Sequence, residues 1–321
     1  MVAGRIGYHA SHEQFSPEKL LELVVTAEVA EFGAILASDH FHPWSERQGE
    51  SGHVWSWLGA AMQTTSLEFA SVTAPGYRYH PAIVAQAAAT LRSMFDGRFE
   101  LCVGSGQRLN EGITGEHWPV KSERNARLRE AATVMRRLWR GEEVTHHGRF
   151  TVEDATLYTR PETVPPVIGA ALSVETAEWL AGWADGMITL ATPDHESDRD
   201  RIEAFTNRAP EKPVYLKAQL SYAEDERAAL NGAYEQWRTN CIPGTITQEL
   251  RTPKAYDQLG ELIEPAVIRN HVRVSSDLDQ HVEWLARDLE LDIDHIYLHN
   301  VHPDQSNFIE AFGRNVLPSV T

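Results

Sequence analysis

The chain has 321 residues, 42% of them apolar, and a formal net charge of −17. That length and apolar content supply a full α/β core and exclude a disordered chain, while the negative balance excludes a phosphate-backbone partner, which it would repel. Two cysteines, Cys102 and Cys241, make no disulfide framework, and no apolar run approaches the roughly 18 residues of a membrane span.

The elements alternate along the chain. Residues 5–10 read as a strand. Ser16-Pro17 opens a helix, with serine as N-cap and proline in the first turn, and Leu20, Leu23, Val24, Ala27 and Ala30 fall on one face. The second strand, 33–40, carries the apolar run Gly33-Ala34-Ile35-Leu36-Ala37 into Ser38-Asp39-His40. A helix around Trp57 and Leu58 follows, then a strand at 67–74, a helix at 82–94, a strand at 99–106 and a long amphipathic helix at 123–138. The second half repeats the pattern with strands at 166–172, 185–191, 214–222 and 295–301, a helix at 173–183 and a terminal helix near 304–315. A short strand at 267–275 is also expected.

Without that short one, eight strands remain, most followed by a helix, and this predicts a single-domain (β/α)8 TIM barrel over 1–321. A doubly wound open sheet is the rival. Two irregular segments, 108–122 and 240–253, follow strands and belong near the catalytic face. The N-terminal residues Met1 to Arg5 lack the apolar core of a signal peptide, so a cytoplasmic protein with no membrane partner is expected.

A barrel gathers its chemistry at the C-terminal strand ends. The second strand delivers Asp39, His40, His42 and Trp44 there. A histidine beside a carboxylate is held in one tautomer and suits acid–base work near neutrality. Glu13 follows the first strand, Ser71 and Val72 end the third, and Gly106, Gln107, Asn110 and Glu111 follow the fourth. His12, His53 and His302 read first as loop residues, and Trp55 and Trp57 as core. Gly104-Ser105-Gly106 has the wrong spacing for a nucleophile elbow. No phosphate loop and no G-x-G-x-x-G after the first strand is present. Ser173 caps a helix directly after a strand, and the free backbone N–H groups there suit a phosphate. His40-x-His42 raises a metal-dependent barrel hydrolase as an alternative, but later strands supply no matching aspartate, and no metal is expected.

Several blocks together resemble a known group. Gly7-Tyr8-His9-Ala10-Ser11-His12-Glu13-Gln14-Phe15, Ser38-Asp39-His40-Phe41-His42-Pro43-Trp44, Tyr79-His80-Pro81-Ala82, Gly104-Ser105-Gly106 with Leu109-Asn110-Glu111, and Ala184-Asp185-Gly186 are similar to the bacterial luciferase-like superfamily. Within it they resemble the branch of deazaflavin-dependent glucose-6-phosphate dehydrogenases, in order and spacing, over almost the whole chain. The resemblance implies a (β/α)8 barrel, usually a homodimer, binding FMN or coenzyme F420 at the strand C-terminal face. It places Asp39 and His40 against the ring, Trp44 in the reacting pocket, and a non-prolyl cis peptide at Ser71-Val72. The sugar-phosphate branch carries an acid where this chain has Gln107, a lysine near Pro193, and a Gly-Gly turn where this chain has Ala171-Leu172-Ser173. Glucose 6-phosphate is therefore a poor substrate.

The expected protein is an oxidoreductase or monooxygenase acting on a small organic substrate with FMN or coenzyme F420. Its expected catalytic residues are His40, Trp44 and Glu13. Its expected cofactor-binding residues are Asp39, Ser71, Val72, Gly106, Gln107, Asn110, Ala170, Ala171 and Ser173. A non-catalytic flavin-binding barrel is the third reading, prompted by Gln107.

Overall fold

The computed structural model describes residues 5–320. The signal-peptide reading falls mostly on positions 1–4, outside the described residues. Eight parallel strands build the centre: β1 (Arg5–Ala10), β2 (Ala34–Ser38), β3 (Glu68–Thr73), β4 (Phe99–Val103), β5 (Val167–Ala170), β6 (Gly186–Ala191), β7 (Val214–Ser221) and β8 (His295–Asn300). They pair in chain order, and β8 returns to β1 with Tyr8 opposite Leu298. Every one of the eight is paired on both sides, so the sheet is a closed barrel and not the open doubly wound rival.

Side-chain alternation along each strand explains the two-layered core. Ala34, Leu36, Ala70, Cys102, Ile168, Ile188, Tyr215 and Tyr297 fill the barrel interior. Their neighbours Ile35, Phe69, Leu101, Val167 and Leu216 point outward into the main core shared with the helices. Gly7 is required where it stands, because a Cβ there would lie 2.5 Å from Tyr297 Cδ1.

The surrounding helices are α1 (Pro17–Val29), α2 (Val54–Thr64), α3 (Pro81–Met94), α4 (Lys121–Trp139), α5 (Val174–Ala181), α6 (His195–Thr206), α7 (Glu226–Trp237), α8 (Leu278–Asp288) and α9 (Gln305–Ala311). Ser16 caps α1 by accepting from Lys19 N, and the helix buries Leu20, Leu23, Val24 and Ala27. Each fully buried leucine contributes about 1.5–3 kcal/mol. No helix among the described residues is long and apolar enough to cross a membrane.

Four details depart from the sequence reading. An antiparallel hairpin joins Val144–His147 to Thr151–Ala155 between α4 and β5. Its residues are mostly exposed, so they carry no apolar alternation to read. Of the expected strand at 267–275, only Arg273–Val274 pairs, against Leu220 and Ser221, while Pro265–Asn270 coils into a 3-10 turn. The terminal helix runs past Asn315, through a wider π turn at Phe312–Val316 into Leu317–Val320. The cis bond expected at Ser71-Val72 is absent: all described peptide bonds are trans. Ser71 and Val72 keep regular parallel register with Ala37 and Ser38 on one side and with Leu101 and Cys102 on the other, and that ladder takes trans backbone.

Candidate active site

A cavity of about 700 Å³ opens at the C-terminal strand ends. Its chemistry begins where β1 and β2 stop. Glu13 lies in the turn after β1 and is 2% exposed. Its carboxylate accepts from Ser11 Oγ at 2.9 Å and Ser38 Oγ at 2.6 Å, and contacts His40 Nδ1. Burial pushes this carboxyl up, but the His40 imidazole and the Ser38 hydroxyl outweigh it and hold Glu13 well below the usual carboxylate range. With Nδ1 engaged, Nε2 is the His40 nitrogen left to exchange a proton in the cavity. The Trp44 ring meets His40 edge-on, centroids 4.9 Å apart, and is backed by Tyr256 at 5.7 Å. Trp44 N donates to Gln48 Oε1 at 2.8 Å, which fixes the turn.

Asp39, next in line, serves a second network. It accepts from Thr73 Oγ1 at 2.6 Å, Tyr79 Oη at 3.2 Å and Arg78 at 3.2 Å. Arg78 also lies 3.6 Å from Glu111 Oε1. Burial raises the Glu111 carboxyl to about 7, against the opposing pull of Arg78. Gly106 closes over this group with φ +77, and a Cβ there would meet Glu111 Cγ at 2.6 Å.

The inner wall is cationic and imidazole-rich. Lys217 of β7 lines the cavity with His9, and no hydrogen bond or ion pair engages its ammonium among the described residues. Burial lowers the lysine to about 8, with Glu13 pulling the other way. Burial, and then Lys217, hold His9 and His299 well below the ordinary histidine range. Their rings lie 4.4 Å apart, and His299 Nε2 sits 2.9 Å from Gln14 Oε1.

The structure gathers most of the expected residues. Glu13, Asp39, His40, Trp44, Val72, Gly106, Gln107 and Ala170 line the cavity. Ser71, Asn110, Ala171 and Ser173 do not. Ser71 is fully buried on the opposite strand face, and Ala171 packs in the main core. Asn110 Oδ1 instead accepts from the amides of Phe41 and His42, both at 2.9 Å, and so braces the loop that carries Trp44. Ser173 caps α5 by accepting from Thr176 N, one residue beyond the cavity-lining Leu172. His42 Nδ1 bonds the Leu109 carbonyl at 2.9 Å, away from the cavity, so His40 and His42 do not converge as a metal pair. No cluster of three or more metal-ligating side chains occurs among the described residues. Sequence reading missed Lys217 and Gln219. Their signal was present, since Tyr215, Lys217 and Gln219 alternate along β7 on the face that turns into the barrel.

Comparison with known proteins agrees with this geometry. The luciferase-like monooxygenase family matches residues 1–292. The F420-dependent glucose-6-phosphate dehydrogenase of Microbacterium testaceum (strain StLB037) is 36% identical over 98% of this chain and 96% of its own. That of Nakamurella multipartita is likewise 36% identical over the same shares. A solved F420-dependent secondary alcohol dehydrogenase, in complex with an F420-acetone adduct, superposes over 100% of both chains with a TM-score of 0.91 and 30% identity. The chain belongs to the luciferase-like monooxygenase family and is an enzyme of its flavin- and deazaflavin-dependent oxidoreductase class.

Proposed function

We propose that this enzyme moves a hydride between coenzyme F420 and a small uncharged alcohol or ketone. Its relatives named above use F420 on a sugar phosphate and on a secondary alcohol. One observation carries the choice between these substrates: among the described residues Lys217 is the sole lysine or arginine lining the cavity, and it lies on the inner wall. The loop residues of the lining, Pro193, Thr247, Tyr256 and His271 among them, include no lysine or arginine, so they offer a phosphate dianion no fixed charge.

The residues present fit a flat ring. Val72, Ala74, Gly104, Gly106 and Ala170 leave a slot of small side chains and bare backbone across the barrel mouth. The bound coenzyme supplies a carbon that accepts or returns a hydride. Gln107 supplies amide hydrogen-bonding groups to ring or substrate. His40 Nε2 takes the hydroxyl proton of an alcohol, or returns it to a ketone. Glu13 stabilises the imidazolium formed in the first case. Trp44, Tyr256 and Trp237 keep water from the site. The protein is proposed to work in the cytoplasm as one barrel domain that pairs as a homodimer, as the family resemblance implies.

Purified enzyme with F420 tests this by deazaflavin absorbance. Oxidation of short secondary alcohols is expected, with glucose 6-phosphate at least about a thousandfold poorer in kcat/KM, roughly 4 kcal/mol of lost recognition. A preference for the sugar phosphate sinks the substrate assignment, and turnover with reduced FMN and oxygen alone sinks the hydride-transfer reading.

A further inference from the structure

The inner wall of the cavity carries an amine that the fold does not use. Lys217 and Gln219 stand on the face of β7 that turns into the barrel, and both line the cavity. Lys217 lies deep yet keeps some exposed surface, because that surface borders the cavity. Among the described residues it makes no hydrogen bond and no ion pair. Burying a lysine that bonds nothing costs stability, so packing gives no reason for it to stand there.

Its neighbours are proton acceptors rather than counterions. Gln14 Nε2 donates to Gln236 Oε1 at 3.2 Å and to Val301 O at 2.9 Å, so Gln14 Oε1 accepts from His299 Nε2. That bond fixes the tautomer: His299 Nδ1 carries the lone pair, and it is buried without a partner among the described residues. His9 Nδ1 is likewise buried and unpartnered, and the His9 ring lines the cavity. Trp237 meets His299 edge-on, centroids 4.7 Å apart. Glu13 is the carboxylate whose charge reaches the lysine, yet Ser11, Ser38 and His40 already engage it. Such surroundings favour the uncharged amine. With the lysine lowered to about 8, about half of it is free amine at that pH.

We infer that Lys217 is a nucleophile towards small ketones and aldehydes: it forms an imine with them in this cavity and exchanges their α-hydrogens with solvent, a second activity that needs no coenzyme. The amine nitrogen attacks the carbonyl carbon, and one N–H proton passes to the carbonyl oxygen. Loss of that hydroxyl with the second N–H proton as water leaves the C=N bond, so no oxidant or reductant enters. Gln219 offers its amide to the departing oxygen. Protonation of the imine nitrogen acidifies the neighbouring C–H. That proton passes to the free nitrogen of His9 or His299, the C–H pair forms a C=C bond, and the C=N pair returns to nitrogen. A solvent proton then replaces the one lost, and water releases the ketone. The inference rests on the ketone class proposed above, but not on F420, His40 or hydride transfer.

Trapping tests it on the full chain without added coenzyme. Cyanoborohydride reduces the imine of acetone to an isopropylamine, and peptide mass mapping locates it among the five lysines. At pH 8, Lys217 is expected to be labelled at least about tenfold faster than Lys19, Lys121, Lys212 and Lys254, which serve as controls within the same molecule. In deuterium oxide, proton magnetic resonance should show wild type exchanging the acetone hydrogens at least about a hundredfold faster than Lys217→Met. Labelling of Lys217 no faster than of the other four overturns the inference, and that comparison needs no variant. So does an absence of exchange in the wild type, or exchange that survives in Lys217→Met. Alcohol oxidation with F420 reads hydride transfer separately, so either activity can fail while the other stands.

Discussion

Glu13 and His40 divide one acid–base task between the ends of two neighbouring strands. The carboxylate is buried and held ionised by its partners, so its charge is available to an imidazolium whenever His40 gains a proton. Replacing His40 with alanine is expected to lower kcat by about 10²–10⁴ with little change in the cofactor Kd. Glu13→Gln keeps the shape and loses the charge, so its kcat should fall with its pH optimum displaced. Wild-type turnover in His40→Ala removes the imidazole from the reaction. Lys217 is the residue whose placement costs stability. Its fall from 10.5 to about 8 means that the unfolded chain binds more protons between those pH values. Stability therefore rises as pH climbs through that window, and the burden is full below pH 8. The drop corresponds to roughly 3 kcal/mol. Lys217→Met should melt higher than wild type at pH 7, with the gap closing towards pH 10.5. A variant less stable at pH 7 shows that the ammonium has a compensating partner.

The strand-to-helix loops turn those residues into a site, and here the sequence was only partly legible. The Ser38-to-Trp44 block announced itself, because an apolar strand ending in charge and aromatics has few other uses. The brace beneath it did not. The sequence position of Asn110 suggests a cofactor ligand, yet its oxygen takes two amides from a loop about seventy residues earlier in the chain. No local pattern encodes a contact at that separation. The hairpin after α4 was missed for the opposite reason: its strands are mostly solvent-facing, and Val144 and Val152 are its fully buried side chains. Asn110→Ala leaves the Phe41 and His42 amides without their acceptor, at about 1–3 kcal/mol if water does not replace it. The loop then holds Trp44 less firmly, so substrate KM should rise while cofactor Kd moves little. A crystal structure of Asn110→Ala with Trp44 unmoved, or a cofactor Kd that weakens as much as KM, returns Asn110 to the role of a direct ligand.

At the scale of the whole molecule, the barrel was legible because its strands are short apolar runs alternating with helices, evenly spaced over the first four strands, which begin at Arg5, Ala34, Glu68 and Phe99, and unevenly after them. What closure brings together was not: Lys217 meets the Glu13 field only once β8 has paired between β7 and β1. Closure has a thermodynamic consequence. One apolar core runs from Ile6 to Leu317 around the barrel, so breaking any strand pair opens the ring. The segment after β7, which covers the mouth, is tied to the same body. Tyr256 packs on Trp44, and Asp257 accepts from Ser45 Oγ at 2.6 Å, Glu46 N at 2.8 Å and Arg47 at 2.7 Å. Trp44 and Trp237 report on the mouth, whereas Trp57 and Trp139 report on the packing of helices against strands. Thermal unfolding followed by far-ultraviolet circular dichroism and by tryptophan fluorescence should therefore give coincident midpoints. If the cover were an independent unit, fluorescence would change first, at a temperature where the circular dichroism is still native. Asp257→Ala cuts the tie without touching the core, so it should separate the two curves, and curves that stay superimposed in that variant place the cover's stability in its apolar packing on Trp44 alone.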